Sequence, residues 1–225
     1  MSGGERDPQA PVPTSQGDIS KITSSVQTRL HLGRMETNTQ GETHLRRPTR
    51  HLNTTRKMQD WSLSVGKKYL ILGDSNVSKF PPYQYTDLQI DSYPGATFRH
   101  AEAILKKTTS STNVERVVLS FGINNRTQKT RETTIKQLQK AIKEAKERFP
   151  QATIYVPEIN FSGALPPLEQ ENLQQINKYI RDNCRYLPAL QEMDFDTEGD
   201  NIHWTHSTAQ KILKHWTAHL NCSSP

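Results

Sequence analysis

Ser75, Gly95, Asn124 and the pair Asp200 and His203 are far apart in the chain, yet their types suit acyl transfer if folding brings them together. A serine hydroxyl can attack a carbonyl when a histidine takes its proton and returns it to the leaving group. A carboxylate three residues before that histidine can hold the imidazole tautomer and stabilise the imidazolium. The backbone N–H groups of Ser75 and Gly95, with the side-chain amide of Asn124, could hold the tetrahedral oxyanion. Each of these residues sits at a predicted strand end or in an adjoining loop. Ser75 ends the run Lys68-Tyr-Leu-Ile-Leu-Gly-Asp-Ser, whose nearly unbroken apolar core reads as a buried parallel strand.

Elements that would gather these positions follow in alternation. Residues 69–72, 87–93, 114–121, 152–156 and 190–195 read as strands, the last the least marked. Residues 97–108, 130–149 and 168–186 carry apolar side chains at helical spacing. A final helix is expected behind Ser207 as N-cap, with Gln210 completing a capping box and Ile212, Leu213 and Trp216 facing inward. The pattern predicts an α/β class protein: a three-layer α/β/α sandwich around a central, mainly parallel five-stranded sheet. A parallel sheet collects its strand carboxyl ends on one edge, where ligands bind in open α/β folds.

Residues 1–60 read differently. Pro, Ser, Thr, Gly and Gln dominate, and no period persists beyond a short helical stretch near residues 22–32, so a basic, mostly disordered arm or linker is expected. Residues 1–68 hold 11 Lys and Arg against 6 Asp and Glu, whereas the remainder is nearly balanced, so the basicity belongs to the arm. Arg46, Arg47, Arg50, Arg56 and Lys57 are candidate contacts to RNA or another nucleic acid, the plainer alternative being a solubilising tail. The two cysteines, Cys184 and Cys222, show no disulfide or metal-ligand spacing, and no apolar run is long enough to span a membrane. With no apolar leader at the amino terminus, the expectation is a cytoplasmic protein that needs no metal or cofactor.

The spacing of the reactive residues resembles that of the SGNH (GDSL-type) hydrolase family. Gly73-Asp74-Ser75 is similar to its first block, Pro94-Gly95 to the second, Gly122-Ile-Asn124 to the third and Asp200-x-x-His203 to the fifth, over about residues 66–220. The resemblance implies a flavodoxin-like fold, a Ser75-His203-Asp200 triad, and oxyanion donors at Ser75, Gly95 and Asn124. Asn125 departs from the Asp common in that family, and Ser75-Asn-Val departs from Ser-Leu or Ser-Ile. More narrowly, Phe121-Gly-Ile-Asn-Asn-Arg126, Asp200-Asn-Ile-His-Trp-Thr205 and Ala209…Ile212…His215-Trp216 resemble the esterase domain of fish LINE retrotransposon first-open-reading-frame proteins. That likeness implies an RNA partner and self-association, although the chain has no sustained heptad pattern.

Other residues have plainer expectations. His206 is a decoy base just ahead of the last helix, Asp74 a turn-fixing carboxylate, and Trp204 and Trp216 packing residues. Arg126 could meet an anionic substrate. The lysines of residues 130–149 suit a solvated face. Two functions compete: a serine esterase acting on an acyl or acetyl ester, and an RNA-binding or assembly module on the same fold. The complete Ser75, Asp200 and His203 set favours the esterase, because a binding module has no use for it.

Overall fold

The computed structural model describes residues 45–128 and 130–222. The strands are β1 (Thr49–Arg50), β2 (Leu63–Val65), β3 (Tyr69–Gly73), β4 (Leu88–Ser92), β5 (Thr108–Ser110), β6 (Arg116–Ser120), β7 (Thr153–Pro157) and β8 (Tyr186–Leu187). The helices are α1 (Lys57–Asp60), α2 (Phe98–Lys106), α3 (Arg131–Arg148), α4 (Pro167–Asn183) and α5 (His206–His219). Six strands pair in the order β1-β4-β3-β6-β7-β8, every neighbouring pair parallel, and β2 pairs with β5 apart from them.

Alternate side chains of β3 go to opposite layers. Leu70 and Leu72 pack with Ala101, Ile104 and Leu105 of α2, Leu138 and Ala141 of α3, and Leu173 and Ile176 of α4. Ile71, with Ile90 and Val118, packs with Ala209, Ile212, Leu213 and Trp216 of α5. Both faces of the sheet are covered, which is why β3 and β6 read as unbroken apolar runs rather than as alternation. Burying each such Leu or Ile contributes about 2 kcal/mol. The lysines of α3 lie on its exposed side, with Lys143 near Glu147 at 3.6 Å.

The sheet has six strands rather than five because the basic segment joins it. Residues 45–60, expected in the arm, lie on the domain. β1 pairs with β4, matching Thr49 to Asp91 and Arg50 to Ser92, and Arg46 forms an antiparallel bridge with Tyr83. The His51 ring sits 2.8 Å from the fully buried Asp91 carboxylate through Nε2 and stacks on Tyr93 at 3.9 Å. Trp61 donates its indole N–H to the Leu52 carbonyl at 2.9 Å and is buried with Leu63, as expected for the point where the chain docks. A two-residue strand held by backbone bonds leaves no hydrophobic period to read. Residues 1–44, with the helical stretch near 22–32, lie outside the described residues.

Two further expectations are corrected. The last strand is β8, not residues 190–195. The chain turns back as soon as α4 ends, so the Arg185 and Leu187 carbonyls accept the Val156 and Glu158 N–H groups, each within 3.0 Å. Residues 190–195 hold a surface 3-10 turn, Glu192–Asp194, with Met193 exposed. The cap of α5 is Thr205 rather than Ser207; its Oγ1 accepts the Thr208 N–H at 3.2 Å, which starts the helix at His206.

The His51 contact is the side-chain tie between the basic segment and the sheet that burial makes strongest. Replacing His51 with Ala removes a hydrogen bond to a fully buried carboxylate and should cost about 2 kcal/mol in denaturant unfolding. Unchanged stability would mean that the backbone pairing of β1 alone holds the segment.

Candidate active site

Ser75 opens a 3-10 helix, Ser75–Lys79, directly after β3. Asp74 is its N-cap and accepts the Asn76 N–H at 2.9 Å through Oδ1, while the Ser78 hydroxyl donates to the Ser75 carbonyl at 2.7 Å. Gly73 is required by packing, since a Cβ there would lie 2.5 Å from a Val77 methyl and 2.7 Å from the Ser120 carbonyl. The strand therefore stops in a tight turn that leaves the Ser75 side chain partly exposed at the carboxyl edge of the sheet.

Across the edge, residues 200–203 form a compact turn. The Asp200 Oδ1 accepts the Ile202 and His203 N–H groups at 3.0 and 2.9 Å, and Oδ2 meets His203 Nδ1. Asn201 takes the left-handed conformation, φ 60°, which Asn tolerates better than most residues. One carboxylate thus shapes the turn and orients the imidazole. The other ring nitrogen, Nε2, lies 3.0 Å from Ser75 Oγ, a contact spanning 128 residues of chain. Ser75, His203 and Asp200 are joined as a hydrogen-bonded array.

Asn76 fixes this juxtaposition. Its Oδ1 accepts the Trp204 N–H at 3.0 Å and its Nδ2 donates to the Ile202 carbonyl at 3.2 Å, so one buried amide grips the chain on both sides of His203. The sequence offered only a polar residue next to a serine. Nothing in the polar turn Asp74-Ser-Asn-Val-Ser78 marks its partners, which lie 126 and 128 residues further along the chain.

The remaining candidates, Gly95 and Asn124, are tied to each other after β4 and β6, the two strands that flank β3. The Ala96 N–H donates to the Tyr93 carbonyl at 3.1 Å, closing a turn with Pro94 and Gly95 in the middle; Gly95 has φ +67°, as the third position of a type II turn demands. Asn124 lies in the 3-10 helix Ile123–Asn125 after β6, and its Nδ2 donates to the Ala96 carbonyl at 3.0 Å, which ties it to the Gly95 turn. That amide has a second hydrogen to offer a ligand. Asn125 accepts the Phe98 N–H at 3.2 Å and donates to Gln137 Oε1 at 3.0 Å; an Asp could do only the first.

Other residues are engaged elsewhere. Arg126 pairs with Glu169 at 2.8 Å and donates to the Ile123 carbonyl, so it braces a loop instead of facing a ligand. His206 is exposed in the first turn of α5. Trp204 and Trp216 pack edge to face, 6.1 Å apart. Among the candidate nucleic-acid contacts, Arg50 donates to the Ser78 carbonyl at 2.9 Å, Arg56 pairs with Asp60 at 3.2 Å, and Lys57 donates to Pro94 O at 3.0 Å. Arg46 and Arg47 are exposed at the domain's edge.

The two carboxylates have opposite electrostatics. The His203 backbone N–H, then its ring, hold Asp200 well below the usual carboxylate range, so it stays ionised. Burial pushes Asp74 up to about 7, against the Asn76 N–H that favours its ionised form. An acid whose folded pKa exceeds its unfolded value of 3.8 binds more protons in the native state, so it lowers stability as pH rises from 3.8 to about 7. Asp74→Asn keeps the acceptor for Asn76 and should remove this decline, at most about 4 kcal/mol. Urea unfolding at several pH values checks this; the same slope in both proteins would contradict it.

No protein-family model and no curated protein matches the chain. Solved structures do. A Streptococcus pneumonia protein assigned as a platelet activating factor aligns at TM-score 0.58 and 16% identity, over 69% of this chain and 85% of that one. A Parabacteroides merdae protein assigned as a GDSL-like lipase aligns at 0.52 and 13%, over 72% and 100%. The OSK domain of Drosophila Oskar aligns at 0.52 and 13%, over 67% and 86%. A lipase/acylhydrolase from Enterococcus faecalis and a family 3 carbohydrate esterase from Talaromyces cellulolyticus also align at 0.52. The chain has the α/β fold of the GDSL-type lipases and esterases.

Proposed function

We propose that the chain is a serine esterase hydrolysing an acyl or acetyl ester without a metal. The observation that carries this reading is the 3.0 Å contact of Ser75 Oγ with His203 Nε2, with Asp200 behind Nδ1. Ser75 Oγ attacks the ester carbonyl while its proton passes to His203 Nε2. The carbonyl oxygen, now negative, is held by the N–H groups of Ser75 and Gly95 and by Asn124 Nδ2. His203 then protonates the departing alcohol as the tetrahedral intermediate collapses to an acyl-Ser75. Water, deprotonated by His203, attacks that ester, and Ser75 leaves with the proton. Asp200, kept ionised, stabilises the imidazolium in both halves.

The alcohol and acyl portions would lie over the adjoining loops. Asn160, Phe161 and Ser162 line one groove with Leu190, Phe195 and Thr197, and Thr197 bridges to Trp204 beside the base. A retrotransposon origin is supported by the likeness of the segments around Asn124, His203 and Trp216, with RNA meeting the exposed Arg46 and Arg47 of the basic segment. An RNA-binding or assembly module on this fold is the competing reading. It is disfavoured because it leaves the ordered Ser75-His203-Asp200 array without a purpose.

Hydrolysis of p-nitrophenyl acetate tests the reading. The wild type should turn over, and Ser75→Ala or His203→Ala should lower kcat by about 10,000-fold or more, Asp200→Asn by roughly as much. Asn76→Ala, which loosens the grip on His203, should reduce kcat about 10- to 100-fold with KM little changed. A wild type no faster than Ser75→Ala would end the esterase proposal.

A further inference from the structure

The basic segment reaches both halves of the site from outside. Parallel pairing with β4 brings the carboxyl end of β1 to the edge that carries Ser75. There Arg50 Nη2 donates to the Ser78 carbonyl at 2.9 Å, in the 3-10 helix that Ser75 begins. A few residues on, Lys57 at the start of α1 donates through Nζ to Pro94 O at 3.0 Å and Gly95 O at 3.4 Å. The ammonium also lies 5.2 Å from the Trp61 ring centre, and Lys107 fixes α1 by donating to the Met58 and Gln59 carbonyls at 2.8 Å each.

The Pro94 carbonyl and the Gly95 N–H belong to one peptide unit. In a trans peptide they point in opposite directions. An ammonium bound at the oxygen therefore turns the N–H away from itself and polarises it, making it a stronger donor. Lys57 occupies the space a Gly95 side chain would need, since a Cβ there would lie 2.8 Å from Nζ. Among the described residues nothing accepts the Gly95 N–H.

We infer that residues 45–60 are a strap belonging to the catalytic machinery, and that Lys57 is a positioning residue that aims and polarises the Gly95 N–H toward the oxyanion. The inference rests on the esterase reading. It gives Lys57 and Arg50 work on the domain in place of contact with nucleic-acid phosphates. Arg50 and Lys57 then have a local reason for their charge: each binds a carbonyl of one of the two turns.

The test is p-nitrophenyl acetate hydrolysis by the full chain carrying Lys57→Met, Lys57→Gln or Lys57→Arg, each also followed by thermal unfolding. Lys57→Met should lower kcat about tenfold or more with KM within about twofold, because the lost interaction acts only once the oxyanion forms. Lys57→Gln, which keeps a donor but no charge, should fall between Met and wild type, and Lys57→Arg should recover most of kcat. A wild-type kcat in Lys57→Met, a loss confined to KM, or equal losses in all three variants that track their melting temperatures would overturn the inference. If Lys57→Met fails to fold, the Gln and Arg variants decide, since a packing role predicts no ordering by charge. An inactive wild type would remove the esterase reading itself, whereas an active wild type with indifferent variants would remove only the strap.

Discussion

All six strands of the main sheet run in one direction, and the site depends on that constraint. The order reverses between β3 and β6: the chain leaves β3 for β4 on one side, then crosses to β6 on the other. At such a switch point the loops after the two strands diverge and leave a crevice between them. Ser75 follows β3, Asn124 follows β6, and the Gly95 turn follows β4. Residues with no sequence proximity therefore share the carboxyl edge of three adjacent strands. His203 comes from the opposite layer, on the turn before α5, and α5 is fixed by Ile212, Leu213 and Trp216 against the face that Ile71 and Val118 present.

Within that frame the site is over-determined by small polar residues. Asn76 grips Ile202 and Trp204, Asn124 grips Ala96, and Asn125 grips Phe98 and Gln137. Asn76 and Asn125 are almost fully buried, and leaving such groups unpaired would cost about 1–3 kcal/mol each. That penalty, more than the strength of the bonds, makes one arrangement of the loops favoured over its neighbours. Ser75 and His203 then sit at hydrogen-bond distance, the preorganisation that the proposed nucleophile and base would require.

Much of this was legible in the chain because its signals are local. A buried strand ending in Gly-Asp-Ser, a Pro-Gly turn and an Asp-x-x-His turn each follow from a few adjacent residues, and the parallel sheet supplies the rest. Features that depend on partners distant in sequence were not legible. The role of Asn76 depends on residues 202 and 204, and that of Lys57 on a turn 37 residues away. The strand β1 is too short to show a period, so residues 45–60 read as arm. Leu190 and Phe195 suggested a strand by composition, but β7 found its edge partner at Tyr186–Leu187, where α4 released the chain.

The central claim is that Ser75 is an activated nucleophile. Intact-mass analysis after exposure to a fluorophosphonate, followed by peptide mapping, addresses it without knowledge of the natural ester. The account predicts a single phosphonyl adduct on the peptide containing Ser75, absent from the Ser75→Ala chain and greatly slowed in His203→Ala. A folded wild type that stays unmodified, or an adduct mapped to another serine, would contradict it.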